Sequence, residues 1–285
     1  MYAITGVTGK VGGSVAKILL AAGVRVRAVV RDAAKAAPWS ALGADIAIAS
    51  SDDAAAMTKA FEGADGVFLM NPPNFDPQHD FPDSRASAAA FKHAIEQAQP
   101  GRVVLLSTIG AHVQEPNLLN NMLIVETALR TSSTPMAFLR AGWFMENAAW
   151  DVEPARSGVI PSFLQPLDHA IPMVATVDIA RAAADLLREQ WNGVRIVELE
   201  GPRRYSANDI SAAFAAALGH PVRTNAVPRD TWESLFRSQG MRNPLPRIRM
   251  VDGFNEGWID FEGGAAEHRT GPTSLDTVLQ RLVAV

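Results

Sequence analysis

The sequence predicts an α/β protein built on a parallel sheet, and three features lead to that class. Short apolar runs alternate with helical patterns from residue 1 to about residue 147, the arrangement that gives βαβ units. A glycine triplet, in AITGVTGKVGGSV, falls between the first strand and the first helix. After Asn147 the alternation degrades into short strands, turns and separate helices, which marks a second, smaller part.

Taken in order, residues 1–5 read as a strand and 12–22 as a helix closed by Gly23. Strands follow at 24–31, 44–50 and 66–70, with helices at 33–42 and 53–62 between them. The segment NPPNFDPQHDFP (71–82) holds too much proline for either element and reads as a loop. A helix over 84–98, a strand over 102–107, a helix over 119–131 and a strand over 135–140 complete the first part. Beyond it, 158–175 suggests short strands and turns. The stretch 177–190 is an amphipathic helix, and 195–201 is a strand. Ser206 caps a helix, with Asp209 placed for a capping box. A strand near 222–227 and a helix near 229–238 follow. The stretch 241–264 fits no single element, and Thr273 with Asp276 caps a last helix.

Composition narrows the function. The chain of 285 residues has 48% hydrophobic residues, a net charge of −4 and no cysteine. With no basic excess, direct binding to nucleic acid is not expected. Without cysteine there is no disulfide, thiolate metal site or cysteine nucleophile. The six histidines are scattered without metal-ligand spacing, so no metal is expected. No apolar run is long enough for a membrane span, and MYAITGVTGK enters a strand without a basic leader. The expected location is the cytoplasm.

The glycine triplet carries the first chemistry. Gly6, Gly9 and Gly12 lie where a strand passes into a helix. Glycine there lets the backbone turn tightly and approach a pyrophosphate, and the helix start offers it free N–H groups. At the end of the second strand an acidic residue would accept the ribose hydroxyl of NAD. Arg31 stands there instead, with Lys35 and Lys10 in reach, which favours the 2′-phosphate of NADP(H) over NAD(H). Asp32 weakens that preference if its carboxylate points inward.

With GVTGKVGGSV, VVRDAAK, LLSTIG and FLRAGWFMENAAW in view, the chain resembles the NmrA-like family of atypical short-chain dehydrogenases. Within it, the bacterial NAD(P)H:quinone and triphenylmethane-dye reductases are the nearest in pattern. The resemblance spans nearly the whole chain but is thin after about residue 205. It implies a Rossmann-type, doubly wound core over 1–150, with a returning segment at about 174–200. It also implies a smaller, partly discontinuous α+β substrate lobe over 151–173 and 201–285. By the resemblance, Gly6, Thr8, Gly9, Lys10, Val11 and Gly12 line the pyrophosphate, and Arg31 and Lys35 meet the adenosine phosphate. Met70, Asn71 and Pro72 pass the adenosine and ribose, and Thr108 sits by the nicotinamide ribose. Trp143, Phe144 and Asn147 face the cleft. The chain departs from the family in two places: Ser50 and Ser51 stand where many relatives carry an acid near the adenine, and Met122 takes the place of a helix lysine.

No Tyr-x-x-x-Lys pair is present. The only tyrosines are Tyr2 and Tyr205, and no lysine follows Lys92. Such a pair protonates a simple carbonyl as hydride arrives. A quinone or a cationic dye is more electrophilic and needs less help, so position alone supplies much of the rate. The expected function is therefore an NADPH-dependent reductase acting on a planar, electron-poor small molecule: a quinone, a dye or an enone. Thr108, His112 and Asn121 are the candidate hydrogen-bond donors to the product anion. Phe75, in the long loop, joins Trp143, Phe144 and Asn147 as substrate contacts, and Phe81 and His79 make that loop a candidate lid. The alternative is a non-catalytic NADP(H) sensor acting through a protein partner. The assembly is left open, a homodimer included.

Overall fold

A computed structural model describes residues 1–284. The chain runs β1 (Tyr2–Ile4), α1 (Lys10–Ala21), β2 (Val26–Val30), α2 (Ala37–Ala41), β3 (Asp45–Ile48), α3 (Ala54–Phe61) and β4 (Gly66–Met70). It continues through α4 (Pro82–Ala98), β5 (Val103–Thr108), α5 (Asn120–Leu129) and β6 (Met136–Ala141). Then come β7 (Trp143–Phe144), α6 (Val152–Arg156), β8 (Val159–Ser162), β9 (Met173–Val174), α7 (Thr176–Arg188) and β10 (Val194–Glu200). The chain ends with α8 (Ala207–Leu218), β11 (Arg223–Ala226), α9 (Trp232–Ser238), α10 (Leu245–Glu256), β12 (Glu267–Thr270) and α11 (Leu275–Val283).

Eight strands form one sheet in the order β12-β10-β6-β5-β4-β1-β2-β3. Every pairing in it is parallel. The strands β4, β5 and β6 are buried on both faces, which explains their unbroken apolar sequence. One face packs on α1 and α7 through Val15, Leu19, Ile179 and Leu186. The other packs on α3, α4 and α5 through Phe61, Phe91 and Val125. This is the doubly wound α/β arrangement that the sequence predicts. No helix among the described residues is long and apolar enough to cross a membrane, and none of their side chains forms a metal-binding cluster.

A third apolar core belongs to the lobe and is built around Trp232, Phe214, Phe236 and Phe254. Excursions between β6 and α7 and between β10 and β12 build this lobe, and α11 closes it. Two small parallel ribbons, β7–β9 and β8–β11, stitch the segments together.

Several sequence boundaries shift. The first helix begins at Lys10 because Gly9, in an extended conformation, acts as its N-cap. The expected helix over 33–42 splits into a 3-10 turn, Ala33–Lys35, and α2, which starts with Pro38 in its first turn. The unassigned stretch 241–264 contains α10, whose first turn holds Pro246 and whose end is Gly257 at φ 81°. The strand β12 had no strong sequence signal. It pairs with β10 at the edge of the large sheet, so the segment 201–285 is not lobe throughout. Ser206 and Asp209 form the expected capping box. Thr273 does not cap the last helix: Ser274 does, accepting from Thr277 N. Thr273 instead donates its N–H and hydroxyl to buried Asp178.

Candidate cofactor and substrate site

The sheet order places β1 between β4 and β2, so connections leave in opposite directions at the carboxyl ends of β1 and β4. Open α/β sheets bind ligands at such a switch point. Thr5 ties the two strands there: its hydroxyl donates to Phe68 O at 3.1 Å and accepts from Met70 N at 2.9 Å. Gly6 turns the chain at φ +63°, with Met70 packed against it. A Cβ on Gly12 would lie 2.4 Å from Gly6 O, so the helix can approach the loop this closely only with glycine. A Cβ on Gly9 would meet nothing nearer than Gly6 O at 3.4 Å, an ordinary contact. Protein packing therefore does not require glycine at position 9. Gly9 gives α1 no side-chain cap, and Thr8, Gly9 and Lys10 are exposed. The donor set fits an anionic pyrophosphate.

Arg31 and Lys35 are exposed beyond β2, and neither has an ion-pair partner among the described residues. Asp32 is engaged locally: its carboxylate accepts from Ala34 N at 2.9 Å and caps the 3-10 turn. Asp52, one position beyond Ser50 and Ser51, lies within electrostatic reach of Arg31. The Ser50 hydroxyl, and more weakly the Arg31 charge, hold its carboxyl below the usual range. Asn71 and Pro72 follow β4, with Asn71 Nδ2 donating to Ser84 Oγ at 3.3 Å.

A cavity of about 660 Å³ opens between the carboxyl ends of β5 and β6 and the lobe. Thr108, Phe75, Trp143, Phe144 and Asn147 all line it, five residues that the sequence singles out. The walls are aromatic: Trp143 meets Phe254 edge-to-face at 5.3 Å, and Phe163 meets Phe236 at 5.0 Å. Gly142 lets this strand end lie against Pro172 O, where a Cβ would stand 2.8 Å away. Glu146 fixes the segment from below, accepting from Thr176 N and Thr176 Oγ1 at the start of α7. The loop 71–81 reaches across to the lobe, where Asp76 accepts from the backbone N–H groups of Arg242 and Asn243. Those two bonds hold the Asp76 carboxyl low.

His112 and Asn121 are not brought to the cavity. His112 lies within electrostatic reach of Glu262 instead, and its Nδ1 is buried without a partner, as is Asn121 Oδ1. No tyrosine or lysine lines the cavity either. Tyr205 is buried in the lobe, its hydroxyl accepting from Leu275 N. Met122, in the place of the family lysine, is buried on α5.

Two charged residues that the sequence did not single out line the cavity. Asp151 has no hydrogen-bond partner among the described residues, and burial pushes its carboxyl up to about 6. Arg247 lies at the other charge type, on α10. Neither position has a motif around it. The signal for α10 was present, since Ile248, Val251 and Phe254 recur every three residues and are all buried.

The same shape is found in characterised proteins. A triphenylmethane reductase from Citrobacter sp., solved with NADP(H), superposes with a TM-score of 0.82 at 19% identity, covering 99% of this chain and 100% of that one. The Escherichia coli NADPH-dependent quinone oxidoreductase, solved with NADPH, gives 0.81 at 23% identity, covering 99% of each chain. By sequence, the NAD(P)H azoreductase of Xenophilus azovorans is 27% identical over 90% of this chain and 85% of its own length. Quinone oxidoreductase 2 of Escherichia coli (strain K12) is 26% identical over 86% of this chain and 84% of its own. The family model described as NmrA-like matches residues 2–271, and the chain belongs to the NmrA-like family.

Proposed function

We propose that this chain is an NADPH-dependent reductase that delivers hydride to a planar, electron-poor acceptor such as a quinone or dye. The observation that supports it best is the aromatic cavity, which begins at Thr108 on the same edge of the sheet as the glycine loop. Relatives named as azo, quinone and dye reductases support the same reading.

When bound, a nicotinamide cofactor would supply the hydride. The acceptor gains two electrons in that step, and a quinone takes up one further proton to become the hydroquinone. The protein binds, orients and excludes water. The glycine loop and the start of α1 would hold the pyrophosphate, Arg31 and Lys35 the 2′-phosphate, and Met70, Asn71 and Pro72 would bound the adenosine side. Trp143, Phe144 and Phe75 hold a flat ring, with Thr108 and Asn147 as polar contacts. An apolar enclosure of this size suits a two- or three-ring molecule. Since the cavity offers no Tyr/Lys pair, the acceptor must need no protein acid, as with a quinone that gives a stabilised anion or a cationic dye that becomes neutral, and orientation supplies several powers of ten in rate.

The test is NADPH oxidation measured against quinones, dyes and enones, with NADH alongside. Turnover with quinones but not simple ketones is expected. Tight NADPH binding with no turnover on any acceptor would replace this reading with a cofactor sensor. Arg31→Ala should cost about 1.5–3 kcal/mol of NADPH affinity by calorimetry, with NADH little changed. Equal NADPH and NADH affinities in the parent would remove the assignment of Arg31.

A further inference from the structure

The arginines of the lobe sort by their partners. Arg203 pairs with Asp209, Arg204 with Asp260, Arg229 and Arg249 with Asp252, Arg237 with Glu233, and Arg242 with Asp76. Arg223 and Arg281 have no such partner among the described residues and are exposed, where water solvates them. Arg247 alone is half-buried without a carboxylate within salt-bridge distance or any hydrogen-bond acceptor among the described residues. It lines the cavity, and its guanidinium lies 4.6 Å from the centre of the Phe236 ring. Burial pulls its pKa down, with no carboxylate to push it back up. Even so, a guanidinium stays charged in protein interiors. A cation removed from water and left unpaired is costly, and an anion in the cavity would offset that cost.

The position is also suited to substrate. Pro246 O accepts from Leu118 N at 2.9 Å, which docks the first turn of α10 on the loop after β5. The next residue of that loop, Leu119, and Thr108 at the end of β5 line the same cavity. Asp151 lines it too, but no ion pair or hydrogen bond joins it to Arg247 among the described residues. The planar fork of an arginine suits the paired oxygens of a carboxylate or sulfonate.

We propose that Arg247 is a specificity-determining residue that binds an acidic substituent on the acceptor, so that the preferred substrates are planar acceptors carrying a carboxylate or sulfonate. This inference rests on the reading of the cavity as the acceptor site. It sets this chain against cationic dyes, which would bring a second positive charge beside Arg247. The competing account is that Arg247 only covers the Phe236 ring with its stem and guanidinium face.

The experiment uses the NADPH-loaded protein and three probes: a naphthoquinone sulfonate, the same naphthoquinone without the sulfonate, and a cationic triphenylmethane dye. Affinity is read from quenching of tryptophan fluorescence, since Trp143 and Trp150 line the cavity, and KM and kcat from NADPH oxidation. The parent should prefer the sulfonate over the neutral quinone by about tenfold or more in Kd and KM, with the cationic dye weakest. Arg247→Met should collapse that ratio through KM rather than kcat, and Arg247→Lys should restore part of it. A ratio near one in the parent, or one unchanged in Arg247→Met, would overturn the proposal without any need for a folded variant in the first case. Discrimination in binding without turnover on any probe would sustain the anion site while removing the reductase reading.

Discussion

Two groups of buried charge in this molecule are held in opposite ways. Under β5 and β6, the Arg140 guanidinium donates to Glu126 at 2.7 and 3.0 Å and also meets Glu262. Ser107 Oγ donates to Glu126 at 2.6 Å, and Arg130 approaches from the next turn of α5. Burial would lower the Arg140 pKa, but the bonds and charges of Glu126 and Glu262 raise it. Around the cavity, Asp151 and Arg247 have no such partners, and burial shifts each of them toward neutrality. The first group is complete within the chain and the second is not. It is this difference that the proposed anion site would remove, by giving Arg247 a partner from the ligand.

The largest expected effect tests the complete group. Arg140 and Glu126 are each 2% exposed at the side chain, so removing one strands the other in the interior. Glu126→Leu should destabilise the fold by about 3–5 kcal/mol in urea unfolding. Adding Arg140→Met should recover most of that loss, because a pair of apolar side chains leaves no charge behind. A single-variant loss below about 1 kcal/mol would mean that Glu262, which is partly exposed, suffices for Arg140.

The glycine loop repeats the contrast within one motif. Position 12 is filled by the protein itself, and position 9 is left open. Gly12→Ala should therefore cost about 1–3 kcal/mol of stability, since the new carbon meets backbone that cannot give way. Gly9→Val should change stability by less than about 1 kcal/mol. It should weaken NADPH binding on the order of 100-fold, or about 2.7 kcal/mol, because the side chain occupies the space above the loop. Thermal unfolding and calorimetry on the two variants separate these outcomes. Full NADPH affinity in a folded Gly9→Val protein would show that the open space serves no phosphate.

The same division explains what was legible in the sequence. Gly6, Gly9, Gly12 and Arg31 are placed by a short βαβ segment, so local spacing located them. Trp143 and Phe144 follow directly on a buried strand, which pointed them to the carboxyl edge. Arg247 reaches the cavity from a helix more distant in sequence, through a contact between Pro246 and Leu118 that no local pattern encodes. The strand β12 is short, with side chains that are half-buried or exposed, and exists through its pairing with β10. His112 shows the converse: its type and its place after β5 suggested catalysis, but the turn at Gly110, packed on Ile259, carries it towards Glu262.

The smallest effect concerns Asp151, the acid that lines the cavity with Arg247. Burial holds its carboxyl at about 6 in the fold, against 3.8 as the ordinary value. A raised acid is less willing to ionise when folded, so above about pH 6 the unfolded chain gains more from ionisation than the native one. The resulting penalty is full at neutral pH, shrinks as pH falls from about 6 to about 4, and vanishes below the unfolded value. Asp151→Asn removes the charge and keeps the shape. The variant should be more stable than the parent near pH 8 by on the order of 1 kcal/mol, once partial solvent access is allowed for. The two stability curves should converge near pH 4. Paired urea titrations at several pH values measure the gap directly. A gap that stays constant from about pH 8 to about pH 4 would mean that Asp151 is already satisfied, and that Arg247 alone is left for a ligand to complete.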